Sequence, residues 1–208
     1  MNTEILEKPS KSKDTKSSKY VYSFHNGDGK NKQLLGGKGA NLCEMTQIGL
    51  NVPSGFVVTT ETCLTYLAEP ERQLPKGVME QVKLNMNELE KATGKIFGNA
   101  ESPLLVSVRS GSAMSMPGMM DTILNLGMND DAVEGIAKKS GNPRFAWDSY
   151  RRFVQMYGDV VLDMKPANKE EIDPFEEIIE ELKEEKGIHL DTEFTKEDLM
   201  ELVLRFKK

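Results

Sequence analysis

The sequence is poor in the residues that usually announce metal or redox chemistry. Its 208 residues include two cysteines and two histidines. Cys43 and Cys63 lack CxxC spacing and read as small buried hydrophobes of a protein kept in a reducing compartment. His25 and His189 are too few and too far apart in sequence to make a metal site. No stretch approaches the roughly 18 apolar residues needed to span a bilayer. The net charge of −6 gives no electrostatic reason to bind nucleic acid or an anionic membrane. Internal repeats are absent. Residues 1–19 are rich in Lys, Ser and Thr and nearly empty of apolar side chains, so they are expected to form a disordered polar tail. Glu4, Glu7 and Asp14 argue against reading that tail as an acid-poor transit peptide.

The chain is long enough for one domain, or one and a half, with ample material for a core. Its most informative stretch is residues 103–128, PLLVSVRSGSAMSMPGMMDTILNLGM. A short apolar run at 104–108 reads as a buried strand that delivers Arg109 into a loop of small residues, Ser110-Gly111-Ser112-Ala113. Pro117-Gly118 punctuates that loop, and 123–126 reads as a second short strand. An arginine at a strand mouth, beside backbone N–H groups that small side chains leave open, suits an oxyanion. Its planar fork of donors stays charged at any working pH. A strand-end arginine paired with a surface carboxylate is the competing reading, and residue types alone leave both open. Met114, Met116, Met119 and Met120 suit pliable loop packing better than a thioether metal site. Asp121 suits a turn better than a metal.

A second cationic element is Leu34-Leu35-Gly36-Gly37-Lys38-Gly39-Ala40-Asn41. Leu42, Met45 and Ile48 follow at helical spacing and Gly49 closes the run, which predicts Lys38 at a helix N-terminus. Free backbone N–H groups, the positive end of the helix dipole and an ammonium together suit a polyphosphate. The loop is not a Walker A motif, because Gly39 stands where a Ser or Thr would hold Mg²⁺. A plain surface turn remains the alternative.

The rest of the chain reads as scaffold. Residues 20–24 alternate as a strand that ends in the turn Asn26-Gly27-Asp28-Gly29. Residues 55–59 make a central strand feeding a helix over 60–67. A helix over 75–94 buries Val78, Val82, Met86 and Leu89. Beyond Gly127 the pattern is helical. Asp131 and Glu134 read as a capping box, and Asn142-Pro143 opens a helix with Ala146, Tyr150, Phe153 and Tyr157 inward and Gly158 as its stop. Arg144, Arg151 and Arg152 on that helix are expected in solvent, with a nucleotide-facing role as the alternative. A polar linker spans 165–173. A charged helix over 174–186 follows, with Phe175, Ile178, Ile179 and Leu182 as its apolar edge. Thr195 and Asp198 cap a last helix carrying Leu199, Leu202, Val203 and Phe206.

The strings VSVRSG and SMPGMMDTILNLG resemble the signature of the pyruvate, phosphate dikinases. So do the segments at 34–61, 141–161 and 184–199, so the likeness covers nearly the whole chain. It implies an α/β (α+β) fold: the first half of an ATP-grasp nucleotide-binding domain with a mixed sheet, followed by an all-helical subdomain. The boundaries expected are a tail at 1–19, an α/β subdomain with the phosphate loops at 20–128, and a helical subdomain at 129–208, truncated at its C-terminal end. The resemblance makes ATP the ligand, with Lys38 and Arg109 as catalytic cations and Gly37, Gly39, Ser110 and Gly111 beside them. Ser112-Ala113-Met114 departs from family members that place an arginine there, which bears on how many cations the loop brings. Mg²⁺ ligands, the phosphohistidine swivelling domain and the pyruvate-binding barrel are implied for a longer, homo-oligomeric parent in the cytoplasm or an organelle such as the plastid. Their motifs are not in these residues. A phosphoenolpyruvate synthase-like dikinase and a non-catalytic nucleotide-binding module are the alternatives.

Overall fold

A computed structural model describes residues 18–111, 121–166, 168 and 171–208. Helices dominate, accompanied by three two-stranded sheets. Strand β1 (Val21–Ser23) pairs antiparallel with β2 (Phe56–Val58). Helix α1 (Lys32–Gln47) connects them and packs on β2, and α2 (Thr60–Ala68) follows directly. Helix α3 (Val78–Thr93) leads into β3 (Ile96–Phe97), which pairs parallel with β4 (Pro103–Leu104). Strand β5 (Val106–Arg109) and β6 (Thr122–Leu126) form an antiparallel pair. Then come α4 (Asp130–Ser140), α5 (Pro143–Val161), α6 (Pro174–Lys186), a 3₁₀ turn (Asp191–Glu193) and α7 (Lys196–Phe206). This mixture of helices and small sheets agrees with an α/β class. In place of the single mixed sheet expected, the described residues form three separate pairs, two antiparallel and one parallel.

Two apolar clusters hold the chain. The smaller joins Leu35, Ala40 and Cys43 of α1 to Tyr22, Phe24 and Val57. The larger gathers Trp147, Tyr150 and Phe153 of α5 with Phe175, Ile179 and Leu182 of α6 and Leu199, Leu202, Val203 and Phe206 of α7. Each such side chain, once buried, contributes about 1.5–3 kcal/mol relative to exposure. Ile123 and Leu126 of β6, together with Leu105 and Met128, pack against the same cluster. The core therefore runs continuously across position 128, where the sequence turns helical.

Local chemistry explains most of the boundaries. Helix α3 ends at Gly94 in the left-handed region, φ 65°. Helix α7 starts at Thr195, whose hydroxyl accepts the Asp198 amide while the Asp198 carboxylate accepts the Thr195 amide at 2.9 Å. Gln81 on α3 does something less common: its Oε1 accepts the amides of Tyr20 and Val21, and its Nε2 donates to the Ser18 carbonyl. One side chain thus occupies the outer edge of β1.

Several sequence expectations are corrected by packing. On α1 the buried side is Leu35, Ala40 and Cys43, while Met45 and Ile48 lie in solvent, because β2 meets the opposite face. Strand β2 pairs with β1 alone among the described residues, so it is not central there. The run at 104–108 divides at Leu105 into β4 and β5, which pair with different partners. Cys63 is exposed; Cys43 is buried, and burial raises its thiol pKa. The α4 cap is Asn129, whose Oδ1 accepts the amides of Asp131 and Ala132, whereas Glu134 receives the Trp147 indole N–H. Gly158 does not stop α5, which continues to Val161. It is buried, with the Phe175 ring pressed against its α-carbon face.

Candidate functional site

The lysine loop is shaped by one residue. Within α1, Gly36 has φ 69° and ψ 162°, a conformation open essentially to glycine alone. It interrupts the helix, so a fresh helical run starts at Gly37 and Lys38 stands in its first turn. This is the helix-start placement expected from the sequence, reached by a break inside α1 rather than at its beginning. Asn31 caps the first run by accepting the Leu34 amide at 3.0 Å. The carbonyls of Gln33 and Leu34 meet the Thr60 hydroxyl at the start of α2, the latter at 3.3 Å. Lys38 is exposed. Gly39 has a packing role: a Cβ there would lie 2.9 Å from both methyls of Val57, so its smallness lets α1 lie close on β2.

The arginine loop is set by the β5–β6 pair. Arg109 stands opposite Thr122 in the register, with a bulge between Val106 and Val108. Just beyond, both the backbone N–H and the hydroxyl of Ser110 donate to the Asp121 carbonyl, each at 3.1 Å. The donors of Ser110 are therefore engaged within the hairpin. Gly111 is exposed, and a Cβ there would meet nothing within 4 Å among the described residues. Ser112, Ala113, the four loop methionines and Pro117-Gly118 lie outside the described residues.

Lys38 and Arg109 share their lack of partners with surface cations such as Lys83 and Lys138, and differ from these in standing at a helix restart and at a strand end. Both side chains are exposed, and neither has a hydrogen-bond or ion-pair partner among the described residues. The carboxylate nearest in sequence to the arginine loop, Asp121, sits 3.6 Å from Lys165 instead. The two segments belong to different surroundings: Lys38 rides on the small cluster, and the Arg109 hairpin rests on the large one. No hydrogen bond among the described residues joins them.

The helical arginines divide differently from the expectation of solvent. Arg144 donates to the carbonyls of Phe194 and Asp191 at 2.8 and 2.9 Å, tying α5 to the 3₁₀ turn. Arg151 is 5 % exposed, bonded to Asp148 at 2.8 Å and facing Asp191 at 3.8 Å. Only Arg152 is solvated, beside Asp148. Perturbed carboxylates also belong to scaffold: hydrogen bonding from Lys183 lowers the pKa of Asp191, and hydrogen bonding from Thr195 lowers that of Asp198. Among the described residues no three His, Cys, Asp or Glu side chains cluster to hold a metal ion. No helix among them is long and apolar enough to cross a membrane.

An unpaired lysine at a helix start and an unpaired arginine at a strand end are what a phosphate-binding segment presents. In keeping with that, residues 32–97 match the family model described as the pyruvate phosphate dikinase AMP/ATP-binding domain. The pyruvate, phosphate dikinase of Clostridium symbiosum is 54% identical over 190 residues, covering 91% of this chain and 21% of the relative. That of Entamoeba histolytica is 55% identical over 188 residues, covering 90% and 20%. The chloroplastic enzyme of Mesembryanthemum crystallinum is 46% identical over 211 residues, covering 100% and 21%. Over most of its length the chain is similar in sequence to pyruvate, phosphate dikinases, and it spans about a fifth of the length of these relatives. The relatives are chloroplastic, bacterial and amoebal, so they fix no compartment.

Proposed function

We propose that this chain forms the phosphate-holding part of an ATP-binding domain of ATP-grasp type in a pyruvate, phosphate dikinase. The whole enzyme would convert ATP, phosphate and pyruvate to AMP, pyrophosphate and phosphoenolpyruvate. The observation carrying this reading is the placement of two unpaired, exposed cations, Lys38 in the first turn after the Gly36 break and Arg109 at the end of β5. A buried or surface ion pair would have spent their charge; here both remain available to an anion.

In this reading the helix-start amides near Lys38 and its ammonium hold the triphosphate, and the Arg109 fork meets oxygens whose charge grows as the pyrophosphoryl group leaves. Positioning and charge stabilisation of this kind supply most of phosphoryl-transfer catalysis. Mg²⁺ would shield the phosphate charge when bound. The described residues do not offer a ligand set for it. The carrier histidine and the pyruvate site would come from other parts of the enzyme.

The test is single-turnover transfer from labelled ATP to the carrier histidine in a full-length enzyme containing this segment. Arg109→Ala is expected to slow transfer by about 100- to 1000-fold, the usual loss for one transition-state donor. Arg109→Lys should recover little, because a point charge does not reproduce a two-toothed fork. Lys38→Ala should act at the same step, and the double variant should fall short of the product of the singles. A normal transfer rate in Arg109→Ala would end the reading.

A further inference from the structure

Thr60 is the threonine at the start of α2 that does not cap its own helix. Thr59 already caps α2: its hydroxyl accepts the Thr62 amide at 3.3 Å and lies 2.8 Å from the Thr62 hydroxyl. Thr60, the first residue of α2, turns the other way and gives its single hydroxyl proton to the neighbouring helix, shared between the carbonyls of Gln33 and Leu34. Those two carbonyls have a particular meaning. In an unbroken helix each carbonyl accepts the amide four residues on, so Gln33 and Leu34 would serve the amides of Gly37 and Lys38. Gly36, at φ 69° and ψ 162°, breaks that ladder between them. A hydroxyl donated from α2 thus satisfies acceptors that the broken helix has left over.

We propose that Thr60 is a positioning residue for the phosphate loop, holding the Gly36 break open so that the Gly37 and Lys38 amides are kept for a polyphosphate. This deepens the proposed function and rests on it. With the Thr60 donor present, the broken conformation keeps its carbonyls hydrogen-bonded and loses nothing by staying open. Without it, the least costly way to satisfy those carbonyls is to straighten the segment and return them the amides of Gly37 and Lys38. The loop would then offer phosphate a lysine but no backbone donors. Thr60 lies within the segment that matches the AMP/ATP-binding domain, 22 positions from Lys38, so the two act through the α1–α2 contact and not through local sequence.

Thr60→Val keeps the branched shape and removes the hydroxyl, while Thr60→Ser keeps the hydroxyl. In the ligand-free 208-residue chain, hydrogen exchange resolved by NMR is expected to slow at Gly37 and Lys38 in Thr60→Val, at least tenfold, and to stay at the wild-type rate in Thr60→Ser. Inorganic tripolyphosphate is the probe for the second arm. It should shift the Gly37 and Lys38 amide resonances in wild type and Thr60→Ser, and bind at least tenfold more weakly to Thr60→Val. Lys38→Ala, tested alongside, should weaken binding without slowing exchange at Gly37. Unchanged exchange and unchanged tripolyphosphate affinity in a folded Thr60→Val would overturn the Thr60 assignment while the phosphate site stood. Absence of any tripolyphosphate response in the wild-type chain would overturn the phosphate reading, and with it the purpose assigned to Thr60.

Discussion

Gly158→Ala is a substitution whose sign depends on the packing seen here. In an exposed helix interior, Gly→Ala stabilises by about 1 kcal/mol, because alanine restricts the unfolded chain and loses little in the helix. At position 158 the new Cβ would sit 2.3 Å from Cζ and 2.7 Å from Cε2 of Phe175. The ring is not the free end of a flexible side chain. Phe175 is 2% exposed and meets Phe206 edge-on, with centroids 4.9 Å apart at 76°. Moving it means displacing α6 or disturbing α7. Overpacking in a tight core costs about 1–3 kcal/mol, and a clash with an immobile ring belongs at the upper end. Setting about 3 against the helix gain of about 1 leaves a net loss of about 2 kcal/mol. Trp147, the only tryptophan, belongs to the same cluster, so its fluorescence in a urea titration reports on this core. The midpoint should fall, and a thermal scan should show a drop of about 4–8 °C. In a Phe175→Leu background the same Gly158→Ala change should become neutral or stabilising, since the ring it strikes is gone. A raised midpoint for Gly158→Ala in the otherwise unchanged chain would refute the contact and restore the idea of Gly158 as a helix end.

Three further outcomes are expected. Lys38→Ala and Arg109→Ala should each change urea stability by less than about 0.5 kcal/mol, as exposed groups without partners do, so that any lost phosphate binding is separable from unfolding; a larger loss would reveal a structural partner. Arg151→Met should cost about 2 kcal/mol by leaving Asp148 Oδ1 and the Gln155 side-chain oxygen without their Arg151 donors, while Arg152 still holds Asp148 Oδ2, read by the same Trp147 titration. Asp198 has its carboxyl pKa lowered, first by the Thr195 hydroxyl, so its contribution is fully present above the ordinary Asp value near 4 and is lost as pH falls through the lower folded value. The stability gap between wild type and Asp198→Asn should therefore be widest near neutrality and close on acidification; a gap that widened at low pH would contradict the cap.

Much of the helical part was legible because helix signals are local. The Thr195–Asp198 cap and the 174–186 helix stand as their sequences predict, with Phe175, Ile179 and Leu182 buried and Ile178 half-buried. What was not legible needed a partner from elsewhere in the chain. The buried side of α1 depends on which face β2 meets, and the alternative faces are nearly as apolar. Gly158 looked like a stop because glycine near the end of an apolar run usually is one; only the Phe175 ring, 17 residues away, gives it another reason. Lys38 and Arg109 were readable as candidates because both follow strong local punctuation, Gly36-Gly37 and a strand end. Thr60 was not, because its hydroxyl acts on a helix that precedes it by more than twenty residues, and only the adjacent pair of threonines hinted that one was spare.

The Gln81 side chain has a consequence for how this piece of protein keeps company. A two-stranded ribbon has two outer edges, each a template for another strand. On the β1 side, Gln81 occupies that template with its own amide, taking two backbone N–H groups and supplying one donor in return. The other edge, along β2, carries the exposed Val58. On the β1 side the ribbon is covered by α3 and its Gln81 side chain, while no strand among the described residues pairs with the β2 edge.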